Sequence, residues 1–499
     1  MRRLTALPTV AARKVIAAAT VLPVLLGLTA CLGAKPTTPG DEGGDLRYGA
    51  APVPHPDVTL HPDVVIVSGG SGVVRSVTDG GLTWRLDPDA GNADLLAPGK
   101  VMFVTGRGVG RVIDVRRDGQ DLAVTIGPVE ITDVIQDGEF TSEQPVSLAD
   151  ATAYQFDDTF WSHPGTATAP RSEPTATATV DRAAAATVNA LTLAGTRPVT
   201  AAAPLTTGAA RPGELEATGF CCTDGVGARF SYRDSGLDLS GTIAFVMRQP
   251  SAKFHLVIDG STVTVAELRI HGAAGVRVQV DATTTTGRNV HPVVFVPVDF
   301  SVPLESVLGI PFSATVRQSI GIRTGFSAGH TTIRATGEYS LGGTMGFGYA
   351  NGTFGPRWPG GLQVKSSLVD SVDGSSVGAN ALLVDYDVKF FIGLGAVVFS
   401  AGLYVALTTT VGITRGSSVG FGGLQGLANR EGCNRADLTI NAKYGIGYTI
   451  PALVAKVINF FLRIFNARPI AAEGGIPDPP PVVNLVNRHW VTNRPVCQH

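Results

Sequence analysis

The sequence predicts a mainly β protein of two β-rich modules built from antiparallel hairpins, the larger, C-terminal one sandwich- or barrel-like, with one short C-terminal helix. Three observations carry this. Valine and threonine abound beside 61 glycines in 499 residues, a composition that favours strands and turns over helices. Apolar and polar residues alternate over short runs, and few stretches sustain a helical period. Asp-Gly pairs sit between such runs, which is a strong short-range hairpin signal. A net charge of -2 with 16 % charged residues leaves no basic footprint for nucleic acid, so none is expected as a partner.

Residues 1–31 form a signal segment. Arg2, Arg3, Arg13 and Lys14 precede an apolar run from Val15 to Leu28, which contains Pro23 and is too short to span a bilayer comfortably. The run closes on Leu28-Thr29-Ala30-Cys31. That ending resembles the bacterial lipobox, and the resemblance implies that Cys31 is acylated and becomes the mature N-terminus. The expected location is the cell membrane, with the protein lipid-anchored and facing the extracytoplasmic side. Arg2-Arg3 leaves both general secretory and twin-arginine export open.

Cys221, Cys222, Cys433 and Cys497 remain after Cys31 is assigned to lipid, an even number in an exported chain. Disulfides are expected, with three pairings available if all four join. A bond between the adjacent Cys221 and Cys222 would be strained, so each is expected to reach into the C-terminal region. Cys433 is also the favoured partner of Cys497. Cys-Cys is not zinc-ligand spacing, and no metal is expected.

Residues 32–54, with Pro36, Pro39, Gly43, Gly44, Pro52 and Pro54, read as a flexible tether. A small β module follows over 55–161. It opens with the duplication His55-Pro56-Asp57-Val58 and His61-Pro62-Asp63-Val64, two strand lead-ins in which the histidines are read as structural rather than metal-binding. Strands are expected at Val64 to Val67 and Val73 to Val77. Thr78-Asp79-Gly80-Gly81-Leu82-Thr83-Trp84 resembles the Asp-box hairpin of β-propellers, with Val77 in the usual serine position. One copy does not make a propeller, and the box is structural in those proteins. Val112 to Arg117 and Gln120 to Ile126 flank a turn at Asp118-Gly119, which pairs Val115 with Leu122 and Ile113 with Val124.

The order of Leu96 to Glu139, a turn into a strand, the glycine-rich Gly106 to Gly110, the hairpin, Gly127-Pro128 and Ile131-Thr132-Asp133-Val134-Ile135, resembles a recurrent module of secreted bacterial surface proteins of uncharacterised function. The resemblance implies β structure and a surface location. It brings no catalytic or binding residues. Asp157, Asp158, Trp161 and His163 cluster at the module's edge and are read as solvated or capping groups.

Residues 162–213 are rich in Ala, Thr and Pro and are expected to link the modules. The large β domain spans 214–470. Phe254 to Ile258 and Ser261 to Val265 form a hairpin about Asp259-Gly260, with His255 on the polar face opposite Thr264. Further strands are expected at Val276 to Val280, Val293 to Val298, Ala314 to Ile322 and Thr331 to Tyr339. Phe390 to Ile413 is uncharged for long enough to cross a membrane. Its glycines and β-branched residues predict two buried strands instead. Ala452 to Phe465 carries an apolar stripe at helical spacing, and residues 471–499 read as a Pro-rich tail.

Phosphate-loop, zinc-protease, nucleophile-elbow and Cys-x-x-Cys motifs are all missing from the sequence. The expected function is therefore non-catalytic: a lipid-anchored envelope protein that binds or builds, without a cofactor. Its expected partners are the membrane through the lipid and an envelope protein, glycan or lipid ligand. Two other readings stand beside it, a carrier of lipid or another apolar ligand in the large domain and a secreted glycan hydrolase using Asp157 or Asp158.

Overall fold

The structure, a computed structural model, describes residues 48–77, 81–147, 151–155, 197–200, 212–221, 225–296, 298–342, 344–357, 363–375, 379–396, 399–417, 432–449, 473–477 and 480–492. It is mainly β, as expected. The chain enters through β1 (Thr59–Leu60), which pairs with β8 (Ile135–Pro145), and between them it folds a six-stranded sheet. There β2 (Val64–Ile66), β3 (Val74–Val77), β4 (Thr83–Leu86), β5 (Val101–Phe103), β6 (Val109–Asp118) and β7 (Asp121–Gly127) pair in the order β2-β5-β6-β7-β4-β3. Trp84 lies wholly buried at the centre of this sheet's own core, with Leu86, Met102, Val124 and Ile126. Its indole N–H donates to the Gly81 carbonyl at 3.1 Å, and the Tyr48 ring meets it edge-on. A single helical turn, α1 (Ile131–Val134), leads into β8.

Two ten-stranded sheets make the body. The first runs β1-β8-β13-β14-β18-β21, from β13 (Leu237–Asp259), β14 (Thr262–Thr284), β18 (Thr331–Gly342) and β21 (Gln363–Ser366). β11 (Leu215–Cys221) and β12 (Gly225–Asp234) attach to it through β13, and β19 (Met345–Ala350) and β20 (Thr353–Pro356) through β14. The second runs β10-β9-β16-β17-β22-β23-β24-β25, from β9 (Thr152–Gln155), β10 (Arg197–Thr200), β16 (Val298–Pro303), β17 (Ser313–Phe326), β22 (Asn380–Ala396), β23 (Phe399–Ser417), β24 (Gly432–Thr449) and β25 (Glu473–Ile476). β15 (Val293–Phe295) joins β17, and β26 (Val482–Val491) joins β24. A second helical turn, α2 (Leu368–Ser371), packs beside β18.

The hairpin β13–β14 is the axis of the first sheet. Its loop is Gly260-Ser261, with φ of +54° and +63°, the two left-handed positions that match the twist of a tight hairpin. Halfway along, Arg248 to Pro250 bulge out of β13 opposite Gly272, which has φ +85°. A Cβ on Gly272 would stand 2.5 Å from the Arg248 carbonyl, so only glycine lets the strands pass at this kink. On one side of the kink β12 and β18 flank the hairpin, and on the other β8 and β19 do.

The two sheets pack face to face over one apolar core and, among the described residues, do not close into a barrel. Alternation along β22 turns Leu382, Val384, Tyr386 and Val388 inward. Phe245 meets Phe390 with ring centroids 5.7 Å apart, and Phe347 stacks on Tyr444 at 5.3 Å. The Tyr339 hydroxyl donates to the Asp437 carbonyl at 3.2 Å, and the Tyr386 hydroxyl lies 3.3 Å from the Val226 carbonyl. Each of these contacts ties a strand of the first sheet to one of the second.

Phe390 to Ile413 falls on β22 and β23, an antiparallel pair whose residues register from Asn380 with Arg415 to Ala396 with Phe399. Among the described residues no helix is long and apolar enough to cross a membrane. Elsewhere the structure moves expected boundaries. The two modules share strands and a core: β8 pairs with both β1 and β13, β9 with β16, and Val101, Phe103 and Val109 pack into the body's core. The physical reason is that both faces of the six-stranded sheet are apolar, so one must be covered by something else.

The end of the expected tether is folded. Thr105 donates its hydroxyl to the Tyr48 carbonyl, Gly106 N–H to Ala50, and Val53 N–H to Gly309 at 2.8 Å. The end of the expected linker forms β10, and parts of the expected tail form β25 and β26, because Glu473 to Ile476 and Val482 to Val491 offer edge partners to β24. Both predicted hairpin turns slip by one residue. Asp118 pairs with Asp121 and Asp259 with Thr262, so glycine takes the first loop position; Val115 then faces Val124, and Leu122 faces Arg117. His255 faces Glu267 rather than Thr264 and meets the Glu139 carboxylate at 3.0 Å, on the surface as expected. The expected helix at 452–465 lies outside the described residues.

Candidate functional site

Residues of β22 that alternate with its core positions, Asp385, Asp387 and Lys389, face away from the first sheet and meet a polar ladder from β16, β17 and β23. In register, Arg317 on β17 stands directly opposite Lys389. Two cations at opposed positions repel. Each is answered locally. Arg317 donates from Nε and Nη2 to Oδ2 of Asp299, at 2.9 and 2.7 Å. The Lys389 ammonium lies 4.5 Å from the Tyr404 ring centroid and 5.1 Å from that of Phe391, within cation–π reach of both.

Asp299 is 2 % exposed, and its second oxygen, Oδ1, has no hydrogen-bond partner. Burial pushes its carboxyl pKa up, against the pull of Arg317. Next to it Ser301, also buried, accepts from Arg107 Nη2 and from the Thr315 hydroxyl, each at 3.3 Å. Arg107 reaches here from the turn between β5 and β6, and burial lowers its pKa to about 10. Gly395 N–H donates to the Gly106 carbonyl at 2.9 Å, so this turn covers one end of the ladder.

Away from that turn the face opens. Ser319 donates its hydroxyl to Asp387 at 3.1 Å, Arg323 pairs with Asp385 at 2.7 Å, and Thr410 donates to the other Asp385 oxygen at 2.6 Å. Burial raises the Asp387 pKa, the hydroxyls of Thr408 and Ser319 oppose it, and the Asp385 charge adds to the rise. Gly321, opposite Asp385 in register, leaves room for Arg323 to reach across. The result is a flat array of hydrogen-bonding groups at fixed strand spacing.

Of the residues singled out in the sequence, His55 and His61 do not converge. His61 Nε2 lies 2.7 Å from the Ser261 hydroxyl, and His55 accepts from Asp57 N–H at 3.2 Å. Among the described residues no group of three or more His, Cys, Asp or Glu is placed to hold a metal. Cys221 ends β11, half-buried, and Cys433 is buried near the start of β24. Cys31, Cys222, Cys497, Asp157, Asp158, Trp161 and His163 lie outside the described residues, as does Thr78-Asp79-Gly80 of the Asp-box.

The ladder itself escaped sequence reasoning. The one available signal was a lone carboxylate, Asp299, inside the apolar run Val294 to Val302. Its partner lies 18 residues on and becomes visible only once β16 and β17 are set in register.

A family model described as a domain of unknown function, DUF8402, matches residues 195–478, and another, DUF8403, matches residues 44–137. The first match spans β10 to β25, and the second holds the six-stranded sheet and ends inside β8, the strand that sheet shares with the body. Comparisons with curated proteins and with solved structures return no match.

Proposed function

We propose, from the premise that this chain belongs to the DUF8402 family, that it is an exported protein lipid-anchored through Cys31. In this reading it faces the extracytoplasmic side of the cell membrane and works by binding or as envelope structure rather than by catalysis. The observation that supports a binding or structural role is the flat polar face of the second sheet. Its part-exposed carboxylates, Asp385 and Asp387, are each held by an arginine or a hydroxyl on the sheet surface. Acid–base catalysis needs a group near a bound substrate with its proton free to move. An exported location also fits Cys221, Cys222, Cys433 and Cys497 as disulfide cysteines.

The test is mass spectrometry of the mature protein produced from the full chain in a bacterial host, beside Cys31→Ala. The expected result is a diacylglyceryl mass on Cys31 that the variant lacks. An unlipidated wild type would overturn the anchor. A further apolar ligand retained without a covalent bond would move the carrier reading ahead, and glycan turnover lost on replacing Asp157 or Asp158 would establish the hydrolase reading.

A further inference from the structure

A second surface carries a more specific inference. β2 is an edge strand, paired only with β5 and in parallel. Val101 N–H donates to the Asp63 carbonyl and Val67 N–H to Phe103, so alternation turns the backbone groups of Val64 and Ile66 away from β5. Most of that outer edge is closed. Val64 N–H is taken by His61, Ser68 N–H by Gly91, and the Ile66 carbonyl accepts from the Asn92 side chain at 2.9 Å. Among the described residues the Val64 carbonyl and the Ile66 N–H remain without a partner, and Val64 and Ile66 line a half-open cleft of about 290 Å³ together with Pro62, Val65, Asn92, Leu95 and Lys100.

Two properties of the lining say what fits. Leu95 is 56 % exposed, an apolar side chain presented at the rim. Lys100 is the cleft's one cation and forms no ion pair among the described residues. The edge is blocked on both sides, by His61 and by Gly91-Asn92, so a strand running through has no room and a chain end does.

We propose that this cleft binds the C-terminal end of an extended peptide with an apolar last residue. The Ile66 N–H donates to a peptide carbonyl oxygen, the Val64 carbonyl accepts a peptide N–H, and Lys100 takes the terminal carboxylate. This is strand addition limited to a chain end. It gives the binding half of the proposed function a partner class and rests on that reading there, while the anchoring half is tested separately by the mass of the mature protein.

The experiment uses the full chain and fluorescein-labelled pentapeptides randomised at their last three positions, made either with a free C-terminal carboxylate or as the amide. Fluorescence anisotropy should show saturable binding of the carboxylate pool and at least about tenfold weaker binding of the amide pool, which corresponds to about 1.4 kcal/mol. Lys100→Met should weaken carboxylate binding by a similar factor and abolish the preference, with the thermal midpoint unchanged. Leu95→Asp should weaken both pools. Equal binding of the two pools, no saturable binding, or a Lys100→Met protein that still prefers the carboxylate would each overturn the proposal. Displacement by octanoate but not by unlabelled carboxylate peptide would assign the cleft to a small apolar acid instead.

Discussion

Replacing Tyr386 with phenylalanine tests whether one buried hydroxyl helps hold the two large sheets together. Tyr386 is fully buried on β22; its hydroxyl donates to Gln318 Oε1 on β17 and lies 3.3 Å from the Val226 carbonyl on β12. Gln318 is 1 % exposed, and its Nε2 already lacks a partner. Tyr386→Phe leaves Oε1 of Gln318 unpaired as well, in a place water does not reach, at a cost of about 1–3 kcal/mol. Gln318→Met alone removes the unpaired amide but strips the tyrosine of its better acceptor. The double variant leaves neither group orphaned, so it should cost at least about 1 kcal/mol less than the sum of the singles. Urea unfolding followed by circular dichroism measures all four proteins. The Tyr386 pKa is raised by burial, so the folded state keeps the proton longer than the unfolded chain. Its stabilisation is therefore present below about pH 10, the unfolded value, and lost above it, a loss that Tyr386→Phe should reduce. A Tyr386→Phe protein within about 0.5 kcal/mol of wild type, about a twofold change in equilibrium constant, or strict additivity in the double variant, would refute the reasoning.

Other variants address separate parts of the molecule. Asp387 has a raised pKa in the fold, so its contribution is greatest below the unfolded value of about 4 and falls as pH rises through the folded one. Asp387→Asn should flatten the stability profile across that window, and parallel profiles would remove Asp387 as its source. Trp84→Ala empties the centre of the six-stranded sheet and should cost about 3–5 kcal/mol, read as an earlier urea midpoint. Gly309 has φ +76°, and a Cβ there would lie 1.9 Å from the Val53 carbonyl. Gly309→Ala should therefore free the segment around Val53 and speed its cleavage in limited proteolysis; an unchanged rate would show that the docking of Val53 on Gly309 does not hold that segment. With Cys31 acylated and Cys221, Cys222, Cys433 and Cys497 all in disulfides, thiol titration of the denatured, unreduced protein should find no free thiol, and a titrated thiol would show that at least one of them is unbonded.

The fold class was legible from the chain because alternation and turn chemistry are local. Val276 to Val280 reads as a strand whatever lies beside it, and the glycines and β-branched residues of Phe390 to Ile413 argue for strands before any partner is known. The hairpins were legible too, but not to the residue. Whether Asp118 or Gly119 opens the loop depends on backbone angles that one-letter patterns do not fix, and a slip of one residue changes every pair after it. Segments set within proline- or alanine-rich surroundings misled for a related reason. The composition around 48–54, 197–200 and 482–491 says that these stretches need not fold alone, while Gly309, β9 and β24 supply partners that let them fold together.

What only the tertiary structure decided is who stands beside whom. The pairing of Asp299 with Arg317, the facing of Arg317 and Lys389, and the burial of Arg107 follow from the register of strands distant in sequence. The edge cleft follows likewise from which neighbours β2 lacks. Sequence determines which residues prefer a strand and which prefer water, because those preferences belong to the side chains. It does not display the charge ladder or the open edge, because these belong to the meeting of strands, and that meeting is set by the packing of the whole core.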